Sequence, residues 1–266
     1  MAGREYEDFV VVVTGASSGL GRAIAEQAAE KGAAVVVINY ASNTAEAEET
    51  GRRVEAHGAK AVLVQGDVAD DADCRRIAAA AEPFGRIDAL FNNAGQTMFA
   101  NHADLEAVSA EQFTRIYAVN VVGAFQMVRA CRALLEKAPQ PGAVVNTSSI
   151  AGVTGIGSSV PYAASKGALV TMTLSLARAL APAIRVNVIC PGYIDTPWFG
   201  RGMPPEAVEG LRQNAARSTP LQLASKPEDI AGAAIFFASP AARHITGETL
   251  LVDAGSHLGR ASLAMR

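Results

Sequence analysis

Val10-Val-Val-Val-Thr-Gly-Ala-Ser-Ser-Gly-Leu-Gly21 begins as a β-branched run and breaks into glycines just before Arg22 to Lys31, a helical stretch closed by Gly32. Valine is stiff about χ1 and suits a pleated surface, so Val10 to Val13 reads as a strand. The order is strand, glycine turn, helix. Such a turn aims the first free N–H groups of the helix at one point, and glycines let a phosphate approach the backbone closely. The spacing is Gly-x-x-x-Gly-x-Gly rather than the Gly-x-Gly-x-x-Gly of the common dinucleotide fingerprint. Glycines this dense between a strand and a helix favour a diphosphate site, built from Gly15, Ser17, Ser18, Gly19, Leu20 and Gly21, over a purely structural turn.

The alternation continues outward. Ala33 to Ile38 reads as a second strand, Thr44 to Gly58 as a charged helix, and Ala61 to Val64 as a third strand leading through Gly66-Asp67-Val68 to a helix ending at Ala81. Ile87 to Phe91 is a fourth strand running into Asn92-Asn-Ala-Gly95, and Ala143 to Asn146 a fifth, ending in Thr147-Ser148-Ser149. Arg185 to Ile189 is a sixth, closed by Cys190-Pro191-Gly192, and Leu250 to Val252 a seventh. Ala107 to Leu135 reads as one helical stretch interrupted near Asn120, and Tyr162 to Leu180 as a helix behind Pro161. With no repeat and no linker, this pattern predicts a single α/β domain over 1–266, a doubly wound parallel sheet with helices on both faces and short tails at 1–7 and 256–266.

Open parallel sheets bind ligands at the carboxyl ends of their strands. The second strand ends in Asn39-Tyr40-Ala41-Ser42, where the adenosine ribose lies in such a fold, and no acid stands there. An aspartate would bond the ribose 2′-hydroxyl and repel a 2′-phosphate, so its absence favours NADP and leaves NAD open. Ser42, backbone amides and nearby Arg22 are candidates to hold the phosphate. Asp67 is placed to accept from the adenine amino group, or to cap the helix behind it.

Bulk properties narrow the function. Half of the 266 residues are apolar and the net charge is −3, with no basic stripe for nucleic acid. Apolar runs are far shorter than the ~20 residues a bilayer requires. Met1 to Asp8 is acidic and lacks the basic-then-apolar order of a signal peptide, which predicts a soluble, cytoplasmic protein without membrane partners. Cys74, Cys131 and Cys190, like the four histidines, show no metal-ligand spacing, so no metal is expected.

Tyr162-Ala-Ala-Ser-Lys166 places a phenol and an ammonium one helical turn apart. A tyrosine is too weak an acid to work near neutral pH, its reference pKa being ~10. A lysine charge at ~4 Å, in an effective dielectric of ~20, would bring it down by roughly three units before burial opposes it. Tyr162 is thereby expected to act as a general acid and base. Asn120, between Val119 and Val121, is expected to be buried and to need partners, and a kink freeing a carbonyl for a water is one solution.

Thr14-Gly-x-x-x-Gly-x-Gly21, Asn92-Asn-Ala-Gly95, Asn120, Ser149, Tyr162-x-x-x-Lys166 and Pro191-Gly192, in this order, resemble the compact short-chain dehydrogenase/reductases from about Phe9 to Gly255. Among these, the strand end Asn39-Tyr40 and the stretch Ile245 to Gly255 are similar to 3-oxoacyl-acyl-carrier-protein reductases and bacterial glucose dehydrogenases. The resemblance implies an oxidoreductase moving hydride between NADP(H) and a carbonyl or secondary alcohol. Tyr162 would carry the proton, Lys166 lower its pKa and bond the nicotinamide ribose, Ser149 polarise the carbonyl, and Asn120 hold a relay water. It further implies adenine contacts at Asp67 and Val68, ribose contacts at Asn93, Ala94 and Gly95, and carboxamide contacts at Ile194 and Thr196, beside Pro191 and Gly192. Ser18 stands where NADP-using relatives often carry arginine.

From about 193 to 226 the pattern becomes irregular, with Tyr193, Trp198, Phe199 and Met203, and reads as a substrate lid whose Arg201, Arg212 and Arg217 would meet an acidic substrate if they are not simply solvated. Met98, Phe99, Ile156 and Val160 are candidate apolar walls. The helix Tyr162 to Leu180 carries only Lys166 and Arg178 as charges and must be covered on more than one face, so a homodimer or homotetramer is expected. Two alternatives are an NAD-dependent sugar or cyclic alcohol dehydrogenase and a non-catalytic dinucleotide sensor on the same fold.

Overall fold

The structure, a computed structural model, describes residues 5–259 apart from the side chain of Arg201. Seven strands form one parallel sheet: β1 (Val10–Val13), β2 (Val35–Tyr40), β3 (Lys60–Gln65), β4 (Ala89–Asn92), β5 (Gly142–Thr147), β6 (Ile184–Pro191) and β7 (Thr249–Val252), in the order β3-β2-β1-β4-β5-β6-β7. The helices are α1 (Gly19–Glu30), α2 (Thr44–Ala56), α3 (Asp71–Ala79), α4 (Ala110–Tyr117), α5 (Ala124–Leu135), α6 (Ala151–Thr154), α7 (Val160–Leu180), α8 (Pro205–Ser218) and α9 (Pro227–Ala238).

Each strand sends alternate side chains to opposite faces. Val11, Val13, Val36 and Ile38 pack with Ile24 of α1, Val54 of α2 and Phe237 of α9. Val10, Val12, Val35 and Val37 pack with Ile77 of α3, Met127 of α5 and Ala177 of α7. The expected doubly wound α/β sheet, covered on both faces, is what the chain forms.

Strand order reverses at β1, between β2 and β4, which opens a crevice at their carboxyl ends. Thr14 ties the two sides together there: its Oγ1 accepts from the N–H groups of Asn93 and Ala94, each at 3.0 Å. Asn93 Nδ2 donates to the carbonyls of Thr14 and Gly15 at 3.1 Å.

Three expectations are corrected. Helix α1 begins at Gly19, not Arg22, because extended Ser18 already serves as its N-cap. The interruption expected near Asn120 is a π-helical turn, Ala118–Gly123, between α4 and α5. Gly123 lies so near Val68 that a Cβ would meet its Cγ2 at 2.8 Å, which explains the close packing of this turn on the loop after β3. The segment 193–226 contains a regular helix, α8, with proline at its start and Glu206 and Arg217 at its ends where the macrodipole favours them. Residues 1–7 are not wholly a tail: Tyr6 is fully buried, stacked on Phe9, and donates its hydroxyl to the Ile235 carbonyl at 2.7 Å. Residues 1–4 and 260–266 of the expected tails lie outside the described residues.

Candidate active site

The glycine turn is a cradle that side chains would fill. At Gly15, with φ +63°, a Cβ would stand 2.8 Å from Ala94 Cα, and at Gly21 only 2.3 Å from the Gly15 carbonyl oxygen. Ser18 makes no side-chain cap bond to α1, and the helix has no acid in its first turn. Its leading N–H groups therefore face the crevice with a positive dipole end, as a diphosphate needs. The residues present fit a dinucleotide on this ground.

Around that cradle the expected contacts separate into two kinds. Ala41 and Ser42 are exposed at the end of β2, and Asp67 is exposed beyond β3. Asp70, not Asp67, caps α3, accepting from Asp73 N at 3.1 Å. Asn39, by contrast, is 1 % exposed; its amide accepts from Gly15 N and donates to the carbonyls of Val64 and Gly66. It holds the glycine turn from beneath, so its side chain shapes the expected ligand site through that turn. Tyr40 and Val68 are likewise buried. Arg22 is engaged with Glu46, Thr50 and the Ser17 carbonyl. Gly192 is pressed against Asp253, Ile194 bridges to Ser225, and the Thr196 methyl lies over Gly19, 3.3 Å from where a Cβ would be.

On the other side of the crevice, α7 brings the Tyr162 phenol beside the Ser149 hydroxyl at the end of β5, and Ser149 Oγ accepts from Ala151 N at 3.1 Å. Lys166 is 3 % exposed and donates from Nζ to the Thr147 carbonyl at 2.8 Å. Ser148 donates to the Lys166 carbonyl at 2.7 Å, so neighbouring residues of one strand end grip the lysine by its head and its backbone. Gly152 of α6 makes room for this: a Cβ there would lie 2.5 Å from Lys166 C.

The electrostatics depart from expectation. Burial pushes the Tyr162 phenol up to about 12, and the neighbouring Ser149 hydroxyl pulls less strongly the other way. Burial also brings the Lys166 amine down to about 8, opposed by the Cys190 thiol. The ammonium points to the Thr147 carbonyl and sits 5.7 Å from the Tyr162 ring centre, so desolvation outweighs the attraction that the helical spacing alone suggests.

Asn120 is buried in the π-turn, as expected, and its partners are now visible. Its Oδ1 accepts from Gln96 N at 2.7 Å, while Nδ2 donates to the Gln96 carbonyl at 3.0 Å and to Ser165 Oγ at 2.9 Å. Ser165 in turn donates to the Tyr162 carbonyl at 2.8 Å. Ser165, Gln96 and Thr147 were not legible as site residues, since two of them act through backbone atoms and Ser165 through a contact with a distant turn. Gly95 is the meeting point: a Cβ there would be 3.5 Å from Asn120 Oδ1, 3.6 Å from Lys166 Nζ and 3.8 Å from Trp198. Arg212 pairs with Glu209 on α8 and Arg217 lies in its last turn.

Residues 15–257 match the family model described as Enoyl-(Acyl carrier protein) reductase. A relative from Streptomyces violaceoruber, named for a ketoacyl reductase of the granaticin polyketide synthase, is 40% identical over 250 residues, 94% of this chain and 96% of its own. An L-rhamnose 1-dehydrogenase (NAD(P)(+)) of Azotobacter vinelandii is 35% identical over 254 residues, 93% of this chain and 96% of its own. A short chain dehydrogenase from Burkholderia cenocepacia, solved in complex with NADP, superposes with a TM-score of 0.85 at 30% identity, covering 95% of this chain and 99% of that one. The chain belongs to the short-chain dehydrogenase/reductase superfamily. It is an NAD(P)-dependent oxidoreductase acting on CH–OH groups and their carbonyl counterparts.

Proposed function

We propose that the reaction is reduction of a 3-oxoacyl-type ketone, with Ser149, Tyr162 and Lys166 at the reacting oxygen and NADPH as the preferred reductant. The observation that carries this reading is the juxtaposition of Ser149 and Tyr162 beside the glycine cradle, two hydroxyls that can converge on one oxygen. When bound, the dinucleotide supplies or accepts the hydride. Ser149 orients the carbonyl; Tyr162, held protonated at neutral pH, donates to the oxygen as it becomes an alcohol. Lys166 and Asn120 fix the turn of α7 from which Tyr162 projects.

NADP is preferred because no acid stands among Asn39, Tyr40, Ala41 and Ser42, and exposed Ser42 is the candidate partner of the 2′-phosphate. The glycine turn from Gly15 to Gly21, Asp67, the stretch Asn93 to Gly95, and Ile194 and Thr196 complete the proposed cofactor contacts. A homodimer or homotetramer is proposed as the working form, since α4, the π-turn and α7 leave Phe113, Val122 and Leu174 exposed.

The description of the matching family model suggests reduction of a carbon–carbon double bond as the second reading. A panel of 3-oxoacyl and enoyl thioesters, followed by NADPH and NADH absorbance in parallel, separates the two. Turnover of the 3-oxoacyl compounds is expected, faster with NADPH. Tyr162→Phe should lower kcat by ~10²–10⁴ while dinucleotide affinity stays within a few-fold. Turnover confined to enoyl thioesters, or indifference to Tyr162→Phe, would overturn this assignment.

A further inference from the structure

The chain has nine phenylalanines, five tyrosines and one tryptophan. Two of the first, two of the second and the only tryptophan gather at the mouth of the proposed site. Tyr193 stacks on Phe199 with ring centres 5.3 Å apart and planes 15° from parallel. Phe199 meets Phe99 at 6.2 Å, and Trp198 meets Tyr162 at 6.4 Å. Phe99 also lies against the lid backbone: a Cβ on Gly202 would be 2.5 Å from its Cδ2. The loop after β4 and the segment after β6 thus face each other through aromatic rings, and Trp198 reaches back to Gly95 and Tyr162.

All five rings are half-buried rather than sealed in the core. Aromatic faces that close a fold are normally covered; these retain accessible surface beside the reacting hydroxyls. Polar side chains at the same rim are occupied with one another: Thr97 with Ser158, and His102 with the Gly157 carbonyl at 3.0 Å. A polyhydroxylated substrate would find stacking surfaces but few free partners for its hydroxyls. A flat ring loses nothing by that.

We propose that the preferred substrate carries a planar aromatic or conjugated ring fused to, or adjoining, the reacting carbonyl, seated against Trp198 and Phe199. This rests on the carbonyl-reductase reading above and narrows its substrate class.

The test uses the purified full chain with NADPH and three ketones of contrasting shape: 1-tetralone, its saturated counterpart 1-decalone, and a linear 3-oxoacyl thioester. L-Rhamnose with NADP⁺ serves as the polyhydroxylated arm. kcat/KM for 1-tetralone should exceed that for each of the others by about tenfold or more. Trp198→Ala should lower the ratio of 1-tetralone to linear thioester kcat/KM by about tenfold, and Trp198→Phe should restore most of it. Because Trp198 is the sole tryptophan, its emission reports on the site without turnover, and 1-tetralone with NADP⁺, a pair between which no hydride can pass, should quench it saturably.

A wild-type preference for the thioester or the sugar, or a ratio unmoved by Trp198→Ala, overturns the ring inference and leaves carbonyl reduction standing. Saturable quenching with no Tyr162-dependent turnover of any ketone overturns the reductase reading and supports ring binding. Absence of both overturns the two together.

Discussion

An amine that is 3 % exposed must either stay neutral or be charged at a cost, and Lys166 meets this cost within the working pH range. Its folded value of about 8 lies below the ordinary 10.5, so between those values the unfolded chain binds more protons than the folded one. Stability contributed at this position is therefore lost in full below about pH 8 and recovered as pH climbs toward 10.5. Tyr162 acts in the opposite sense: raised from 10.0 to about 12, it keeps its proton in the fold, and its contribution is lost as pH rises through that interval. Cys74, raised from 9.0 to about 12, adds to the alkaline loss. Comparing the wild type with Lys166→Met isolates the lysine. In the absence of dinucleotide the variant should have the higher Tm at pH 7, and its advantage should shrink by on the order of 3 kcal/mol, roughly 6 to 12 °C, by pH 10. A Tm difference that stays the same from pH 7 to 10 would show that no charge is being forced into the site.

Elements place these residues, and the contact of α6 with α7 is the narrowest constraint. Gly152 sits against the backbone of Lys166 and Gly167, where a Cβ would find atoms at 2.5 to 2.7 Å. Gly152→Ala must displace α7 or α6, at a cost of about 1–3 kcal/mol, and should depress kcat more than the KM for dinucleotide. Gly232, on the exposed side of α9 with nothing within 4 Å of a Cβ, is the contrasting case; Gly232→Ala should raise Tm, by up to about 1 kcal/mol of stability. Thermal melts and steady-state kinetics on both variants check this, and equal behaviour of the two would refute the close approach. The strand and helix of β1–α1 were legible because valine runs, glycine density and helical spacing are local signals. The π-turn at Asn120 showed only as an interruption, since its extra residue per turn is fixed by Gln96, Ser165 and Val68 from elsewhere in the chain. Helix α8 had local marks in Pro205, Glu206 and the Glu209–Arg212 pair, but its aromatic approach concealed them. The lysine–tyrosine spacing placed Tyr162 and Lys166 as neighbours, as the structure has them, while the direction of the phenol shift depended on burial that spacing does not encode.

At the scale of the whole molecule, the question is what covers the outer side of the α4–α7 layer. Helix α7 packs on α4, α6, β6 and the π-turn, yet Leu174 remains 51% exposed and Val122 of the π-turn 46%. Phe113 and Tyr117 of α4 stack at 5.4 Å with Phe113 still 37% exposed, and Phe125 of α5 is 42% exposed. The helical run Ala110–Leu135 is apolar enough by length and composition to cross a membrane, but half of its most apolar window is packed inside this fold, and π-turn residue Asn120 is bonded to Gln96 and Ser165. Its remaining apolar face matches, in character, the outer face of α7, and a second copy presents both by symmetry. Light scattering at micromolar concentration should therefore give a mass of two or four chains of 27.5 kDa. Leu174→Glu, which places a carboxylate on that face without touching Tyr162 or Lys166, should shift the mass toward one chain and lower Tm. If α7 is steadied by the neighbouring copy, kcat falls with dissociation and recovers as protein concentration rises. A wild type that stays a single chain under these conditions excludes the oligomer, and a Leu174→Glu protein with unchanged mass moves the interface to another face.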